Sequence, residues 1–144
     1  MTAADVLARL AASTTAVRTM RSGTRLVGEG TGTVATVADG STLVLTETGS
    51  WAPGDGPSMR WRAVSRWHVE GASLAVAHLR QGAPASAVLD RRPDGTWVGR
   101  QPHVCGADRY AVSLRLGPEA VEVTWTVDGP AKADVVATRY RPEA

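Results

Sequence analysis

Alternation of apolar and polar residues with a period of two is the main pattern in this sequence, and it is clearest near its end. From Asp108 to Leu116, every second residue is apolar except for Asp108 and Tyr110 at the start of the run. Successive side chains of a strand point to opposite faces, so we expect Tyr110, Val112, Leu114 and Leu116 to share a buried face. An acid and a phenol on such a face either have hydrogen-bonding partners or form part of a site.

Shorter β-prone runs fill most of the remaining chain and are separated by turn signals, at a spacing typical of a sandwich or barrel. The clearest hairpin turns are Asp39-Gly40, Pro93-Asp94-Gly95 and Asp128-Gly129-Pro130. Gly28-Glu29-Gly30 predicts another turn, between the runs Arg18–Val27 and Thr31–Ala38. The pattern predicts an all-β fold, a single antiparallel barrel of about 8–10 strands, with a two-sheet sandwich as the alternative.

The first residues have the period of a helix instead. Thr2 has the character of an N-cap with Asp5 three residues later, and Val6, Leu7 and Leu10 form an apolar stripe. We therefore predict a single domain over residues 1–144, with an N-terminal helix within 1–13 and the barrel within 16–140.

Composition narrows the classes of function. The 144 residues carry a net charge of +2 and one cysteine, which excludes an intramolecular disulfide and a multi-cysteine zinc site. The charge is too small and too scattered to favour a nucleic-acid partner. No apolar run approaches the roughly 18–20 residues of a membrane span, and a secretory pattern is lacking. We expect a cytoplasmic monomer or homodimer with a small-molecule partner, no membrane partner, no metal and no cofactor.

Candidate chemistry is concentrated between His103 and Tyr110. His103 is the best candidate for a general base, because histidine titrates near neutral pH. A bulge at Gly106 would turn His103 and Cys105 toward the face that carries Asp108 and Tyr110. Asp108 would then orient the imidazole and Tyr110 would donate to a developing oxyanion, with Cys105 against the substrate. The alternatives are structural: backbone hydrogen bonds for His103 and Tyr110, a turn cap for Asp108 and packing for Cys105.

Two earlier strands carry further polar candidates. Met59–Glu70 divides into an apolar face that includes Trp61 and a basic face that includes Arg60. We expect the apolar face to meet the core, but in a ligand-carrying barrel the lumen can take the basic face, where Arg60 or Arg62 would hold a carboxylate or enolate. Glu47 shares its face with two leucines, so it either lies in the lumen or reaches water at the strand end.

Three motifs in the last part of the chain carry a family resemblance. They are His103-Val-Cys105-Gly-Ala-Asp108-Arg-Tyr110, Trp125-Thr-Val127-Asp-Gly129-Pro130-Ala-Lys132 and Thr138-Arg-Tyr140. With weaker signatures at Glu47 and Arg60-Trp61, they resemble an uncharacterised family of small bacterial lipocalin-like proteins, whose pattern is H-x-C-x-x-D-x-Y, W-x-V-x-G-P-x-K and T-x-Y. The resemblance implies a calycin-type barrel and no established activity. It adds Trp125 and Lys132 to Glu47, Arg60, Trp61 and Cys105 as expected ligand contacts.

Two classes of function fit these residues. The first hypothesis is a small-molecule enzyme that acts in the barrel lumen by cofactor-independent acid/base chemistry of the isomerase, cyclase or dehydratase type, with His103, Asp108 and Tyr110 as catalytic residues. Analogy with other barrel folds suggests polyketide-like or aromatic substrates from secondary metabolism. The alternative is a non-catalytic carrier or sensor of an apolar metabolite, and a haem-binding variant with one axial histidine is a third hypothesis.

Overall fold

The computed structural model describes residues 1–54, 56–79 and 85–143, which form one helix and eleven strands. The helix is α1 (Ala3–Ala11). The strands are β1 (Ser13–Ser22), β2 (Arg25–Asp39), β3 (Thr42–Pro53), β4 (Met59–Glu70), β5 (Ser73–Leu79), β6 (Ala85–Arg91), β7 (Trp97–Gly99), β8 (His103–Cys105), β9 (Asp108–Leu116), β10 (Val121–Gly129) and β11 (Lys132–Pro142).

Helix α1 begins at a capping box, as the sequence predicts. The backbone N–H of Thr2 donates to the carboxylate of Asp5 at 2.8 Å, and the N–H of Asp5 donates to the Thr2 hydroxyl at 3.2 Å. The helix buries Val6 and Leu10 completely, so it covers one end of the barrel with its apolar stripe. No helix in the described part of the chain is long and apolar enough to cross a membrane.

The strands close into an antiparallel ring, which confirms the predicted fold class and excludes the two-sheet sandwich. Each strand from β1 to β6 pairs with the next, β7 pairs with β9, and β9, β10, β11 and β1 complete the circle. Ten strands therefore form the barrel wall. Strand β8 is an additional short strand that pairs with the first residues of β9.

The barrel interior is densely packed at the end that α1 covers, here called the capped end. Side chains from seven strands form one cluster with those of the helix there, and each is at most 1% exposed. They are Leu43, Trp67, Leu74, Leu89, Trp97, Leu114 and Val121, together with Val6 and Leu10 of the helix. This cluster is the hydrophobic core, and its burial stabilises the barrel.

Strand β2 runs straight through the predicted turn at Gly28–Gly30, so that prediction is wrong. The chain instead turns at Gly23, which takes a left-handed φ of 61°. Glycine is needed on the inner face of β2 for space: a Cβ on Gly28 would lie 2.6 Å from the Trp51 ring, and one on Gly30 would lie 2.7 Å from the Trp61 ring. The glycines make room for two indoles inside the barrel.

Candidate functional site

Three polar side chains from distant parts of the chain meet inside the barrel. Arg18 lies on β1, Glu47 on β3 and Tyr140 on β11. The Arg18 guanidinium donates to Glu47 Oε1 over 3.2 Å, and the Tyr140 hydroxyl donates to Glu47 Oε2 over 2.6 Å. Barrel closure brings them together, because β1 pairs with both β2 and β11, and β2 pairs with β3.

The electrostatics of this Arg18–Glu47–Tyr140 network follow from its burial. Glu47 is only 2% exposed, and a buried carboxylate is costly unless it is paired and hydrogen-bonded. Glu47 has both an ion pair and a phenol donor. Burial raises the pKa of Tyr140 well above its ordinary value, and the adjacent Glu47 charge raises it further. Tyr140 is therefore a neutral hydrogen-bond donor over the physiological pH range.

Two chambers adjoin the network. The inner chamber has a volume of about 120 Å³ and is lined by Arg18, Glu47, Ser65, Trp67, His78, Ala85, Tyr110, Val123, Trp125, Val127, Val136, Thr138 and Tyr140. The outer chamber has a volume of about 150 Å³ and is lined by Arg18, Met20, Gly28, Glu29, Trp51, Trp61 and Val136. Because Arg18 and Val136 line both chambers, they form the partition between them.

Two buried donor atoms beside the partition lack an acceptor. The Arg18 guanidinium carbon lies 5.2 Å from the centre of the Trp61 ring, a cation–π arrangement. Arg18 Nε and Trp61 Nε1 have no hydrogen-bonding partner among residues 1–54, 56–79 and 85–143. Trp97 Nε1 at the capped end is a third such atom, and it lines neither chamber. Both side chains that carry these unpaired donors line the outer chamber.

Four of the residues singled out by sequence line the chambers. Glu47, Tyr110 and Trp125 line the inner chamber, and Trp61 lines the outer one. Tyr110 is on the buried face of β9 that the alternation predicts. Whether these side chains contact a ligand stays a prediction.

The other members of the His103–Tyr110 segment do not join them in the lumen. Gly106 is not a bulge: it has a φ of 62° and sits in a tight turn that reverses the chain between β8 and β9. The reversal places His103 opposite Tyr110 and the exposed Cys105 opposite Asp108. The centre of the His103 ring lies 6.2 Å from that of the Tyr110 ring in an edge-to-face arrangement, and the contact in which Asp108 orients His103 stays a prediction.

The two remaining basic candidates lie on the outside. Arg60 is exposed on the solvent face of β4, so the alternative in which the basic face lines the lumen is wrong, and the apolar face with Trp61 lies inside as expected. Lys132 is half exposed, and its ammonium group lies 3.4 Å from the Asp108 carboxylate. Asp108 and Lys132 thus form an ion pair between the β9 and β11 strands.

His103 lines a broad groove of about 740 Å³ on the outer surface, together with Arg66, His68 and Arg100. Its Nδ1 accepts a long hydrogen bond of 3.5 Å from the N–H of Ser86. The groove is larger than the chambers, but several of its charged side chains are exposed to solvent. Within the described ranges, no group of three His, Cys, Asp or Glu side chains is placed to hold a metal ion.

Sequence reasoning missed Arg18, Tyr140 and His78 as site residues. His78 lines the inner chamber, and its ring centre lies 6.0 Å from that of Trp125. Alternation contained a usable signal for Arg18, which stands between the inward-facing Ala16 and Met20 of β1. The same parity places Tyr140 on the inner face of β11.

Fold and site together define a closed antiparallel barrel with a polar, chambered interior at one end. The chain belongs to a family of unknown function, DUF6314, whose profile matches residues 10–142. The fold is similar to that of the S-type phycobiliprotein lyase CPES from Guillardia theta, with a TM-score of 0.69 over 100% of this chain and 94% of that chain. The two sequences are 12% identical, so the likeness is one of fold. No curated protein matches the sequence.

Proposed function

We propose that this protein binds a small, mainly apolar molecule inside the barrel. The observation that carries the proposal is the Arg18–Glu47–Tyr140 network, which is buried beside two chambers. Ligand sites are concave, mostly apolar and aromatic, and contain a few convergent polar groups that fix the orientation of the ligand. The chambers have this composition, with Trp61 and Trp125 as aromatic walls.

The volumes of the chambers set the size of the ligand. A dry engineered cavity of about 150 Å³ holds one benzene molecule. The inner chamber of about 120 Å³ and the outer chamber of about 150 Å³ each match a single ring. The ligand is thus a one-ring compound, or a longer one that displaces the Arg18 partition.

Toluene is a suitable first probe, because a ligand that binds only the folded state raises the melting temperature. We expect saturating toluene to raise the melting temperature of the wild type but not of Val136→Phe, whose added ring would fill the space between the chambers. Val135→Phe is the matched control, since it makes the same change on the opposite face of β11. Circular dichroism checks that both variants are folded. An absent shift in the wild type, or an equal shift in Val136→Phe, would contradict binding in the lumen.

A second candidate function is catalysis by cofactor-independent acid/base chemistry, of the isomerase, cyclase or dehydratase type. It is favoured by the four groups capable of proton transfer that line the inner chamber, which are Glu47, His78, Tyr110 and Tyr140. In this version Glu47 takes the role of base that the sequence suggested for His103. Tyr140 is the donor that stabilises developing negative charge. A barrel of similar fold carries the name lyase, which supports testing for turnover as well as binding.

Reactions of this type begin with removal of a proton from carbon next to a carbonyl group. We expect the wild type to accelerate exchange of the methyl protons of acetophenone in heavy water, followed by proton NMR. Glu47 would take the proton, and a solvent deuteron would replace it. Glu47→Gln should lose about 10²–10⁴-fold in rate, whereas Glu119→Gln, the same change at an exposed position away from both chambers, should not. Exchange no faster than in buffer would retire catalysis and leave binding intact.

A further inference from the structure

We propose that the ligand carries an uncharged carbonyl oxygen, which accepts hydrogen bonds from Arg18 Nε and Trp61 Nε1 in the outer chamber. This inference rests on the proposed binding in the lumen and specifies the class of ligand. Its starting point is that both nitrogen atoms are buried and lack an acceptor among the described residues. Both side chains line the same chamber.

The two unpaired nitrogen atoms determine which kind of group the ligand must bring to them. A guanidinium and an indole are donors only, so a partner must be an acceptor. Leaving a buried donor unpaired is unfavourable, and native structures rarely do so without a reason. A carbonyl oxygen has two lone pairs and can accept from both donors at once.

Charge balance decides between a neutral carbonyl and a carboxylate. The Arg18 charge is already paired with Glu47 at 3.2 Å, so the network is neutral as it stands. A ligand carboxylate would be a second anion beside one guanidinium, and its desolvation would lack a compensating cation. A ketone, quinone or lactone oxygen takes the same hydrogen bonds without that cost.

The walls of the outer chamber select the rest of the ligand. Trp51 and Trp61 provide two indole surfaces, and Gly28 lets the Trp51 ring approach the wall closely. Aromatic rings pack favourably against indoles. The ligand class is therefore a one-ring, uncharged aromatic carbonyl compound.

Three probes of nearly equal shape test this assignment: acetophenone, ethylbenzene and benzoate. Dissociation constants are measured by titration, with the five tryptophan indole N–H signals followed in nitrogen–proton NMR spectra. We expect acetophenone to bind roughly tenfold more tightly than ethylbenzene, because it adds hydrogen bonds to buried donors. Benzoate should bind most weakly. Only acetophenone should move the Trp61 N–H signal downfield, in the direction of a formed hydrogen bond.

Paired variants locate the donor. Trp61→Phe removes one indole N–H and should reduce the preference for acetophenone over ethylbenzene severalfold. Trp51→Phe makes the same chemical change in the same chamber and should keep that preference, even if all probes bind less tightly. The loss of the Trp61 signal in Trp61→Phe also assigns the resonance.

The possible outcomes distinguish the carbonyl assignment from the proposed binding in the lumen. Equal binding of acetophenone and ethylbenzene, or tightest binding of benzoate, would overturn the carbonyl assignment and leave binding in the lumen standing. Equal loss of preference in both tryptophan variants would also overturn it. Failure of all three probes to bind would contradict the carbonyl assignment and the proposed function together.

Discussion

The two ends of the barrel interior are built from the same strands but have opposite character. On β10, Val121 is packed in the core of the capped end, Val123 belongs to the core and also lines the inner chamber, and Trp125 lines that chamber. On β3, Leu45 is fully buried among apolar neighbours and Glu47, the next inward residue, enters the polar network. A period of two decides which residues are inside. The identity of each inward residue decides whether that level of the barrel is core or site.

The largest effect is expected at the capped end. Leu10→Ala should reduce the free energy of unfolding by about 2–5 kcal/mol, because the fully buried side chain leaves a cavity in close packing. Leu7→Ala is the control on the same helix, since Leu7 is only partly buried against the same core. It should cost clearly less in urea unfolding. Equal losses would show that α1 contributes through its helicity and does not cover the core as described.

At the chambered end, Tyr140→Phe should reduce stability at neutral pH by about 1.5–3 kcal/mol, the range for a hydrogen bond to a charged group. We also expect Tyr140 to make the stability of the protein depend on pH in the alkaline range. Its pKa in the folded protein is raised above the ordinary value of 10.0, so the phenol loses its proton at a lower pH in the unfolded chain than in the folded protein. The contribution of this group is fully present below pH 10.0 and is lost as the pH rises toward the raised value.

Denaturant unfolding across alkaline pH checks this effect. The wild type should lose stability with increasing pH in that range, and Tyr140→Phe should lose less. Tyr110→Phe, which changes the other tyrosine of the inner chamber, keeps Tyr140 and should retain the alkaline loss. If Tyr140→Phe shows the same alkaline slope as the wild type, the phenol is not buried against Glu47 in solution.

The fold could be predicted from the sequence because its signals are local. Alternation marks the strands, and Asp39-Gly40 and Asp128-Gly129 mark hairpins that the structure contains between paired strands. The glycines of β2 misled the prediction, since Gly28 and Gly30 resemble a turn in sequence. Their actual role depends on Trp51 and Trp61, which are more than twenty residues away, and no local pattern connects them.

The site was harder to predict from the sequence than the fold, because its contacts join residues that are far apart in the chain. Glu47 is 29 residues from Arg18 and 93 residues from Tyr140, so only the register of the closed barrel brings them together. The His103–Tyr110 segment is close in sequence, but the tight turn at Gly106 forms a hairpin from which only Tyr110 lines the inner chamber. Inward parity combined with residue type identifies Glu47 and Arg18. Proximity along the chain does not.

Gly30→Ala tests the packing of the chambered end. The added Cβ would lie 2.6 Å from the carbonyl oxygen of Ser50 and 2.7 Å from the Trp61 ring. Such overpacking should cost about 1–3 kcal/mol and change the fluorescence of the tryptophans. Gly117→Ala is the control, since its Cβ would meet the Ala120 carbonyl at an ordinary 3.4 Å. A tolerated Gly30→Ala would mean that the indoles have room to move and that the chambers are larger than described.

The smallest effect is expected from an ion pair on the outside, which contrasts with the buried Glu47 network. Arg100 donates to both carboxylate oxygens of Asp90, at 2.8 Å and 2.9 Å, and Ser73 donates to one of them. These hydrogen bonds, that of Arg100 first, lower the pKa of Asp90 to about 2 from its ordinary value of 3.8. A lowered pKa contributes stability above the ordinary value, which is lost as the pH falls toward about 2.

Asp90→Asn should therefore flatten the acid side of the stability curve, measured as the change in melting temperature between about pH 5 and about pH 2. The change at neutral pH should be small, because solvent screens this exposed pair. Asp94→Asn is the comparison: Asp94 also has a lowered pKa, through hydrogen bonds from Thr96 in its own turn, so this change should flatten the acid side too, but less than Asp90→Asn. A large neutral-pH loss in Asp90→Asn would contradict the contrast, because the outer pair would then support the barrel as strongly as the buried network does.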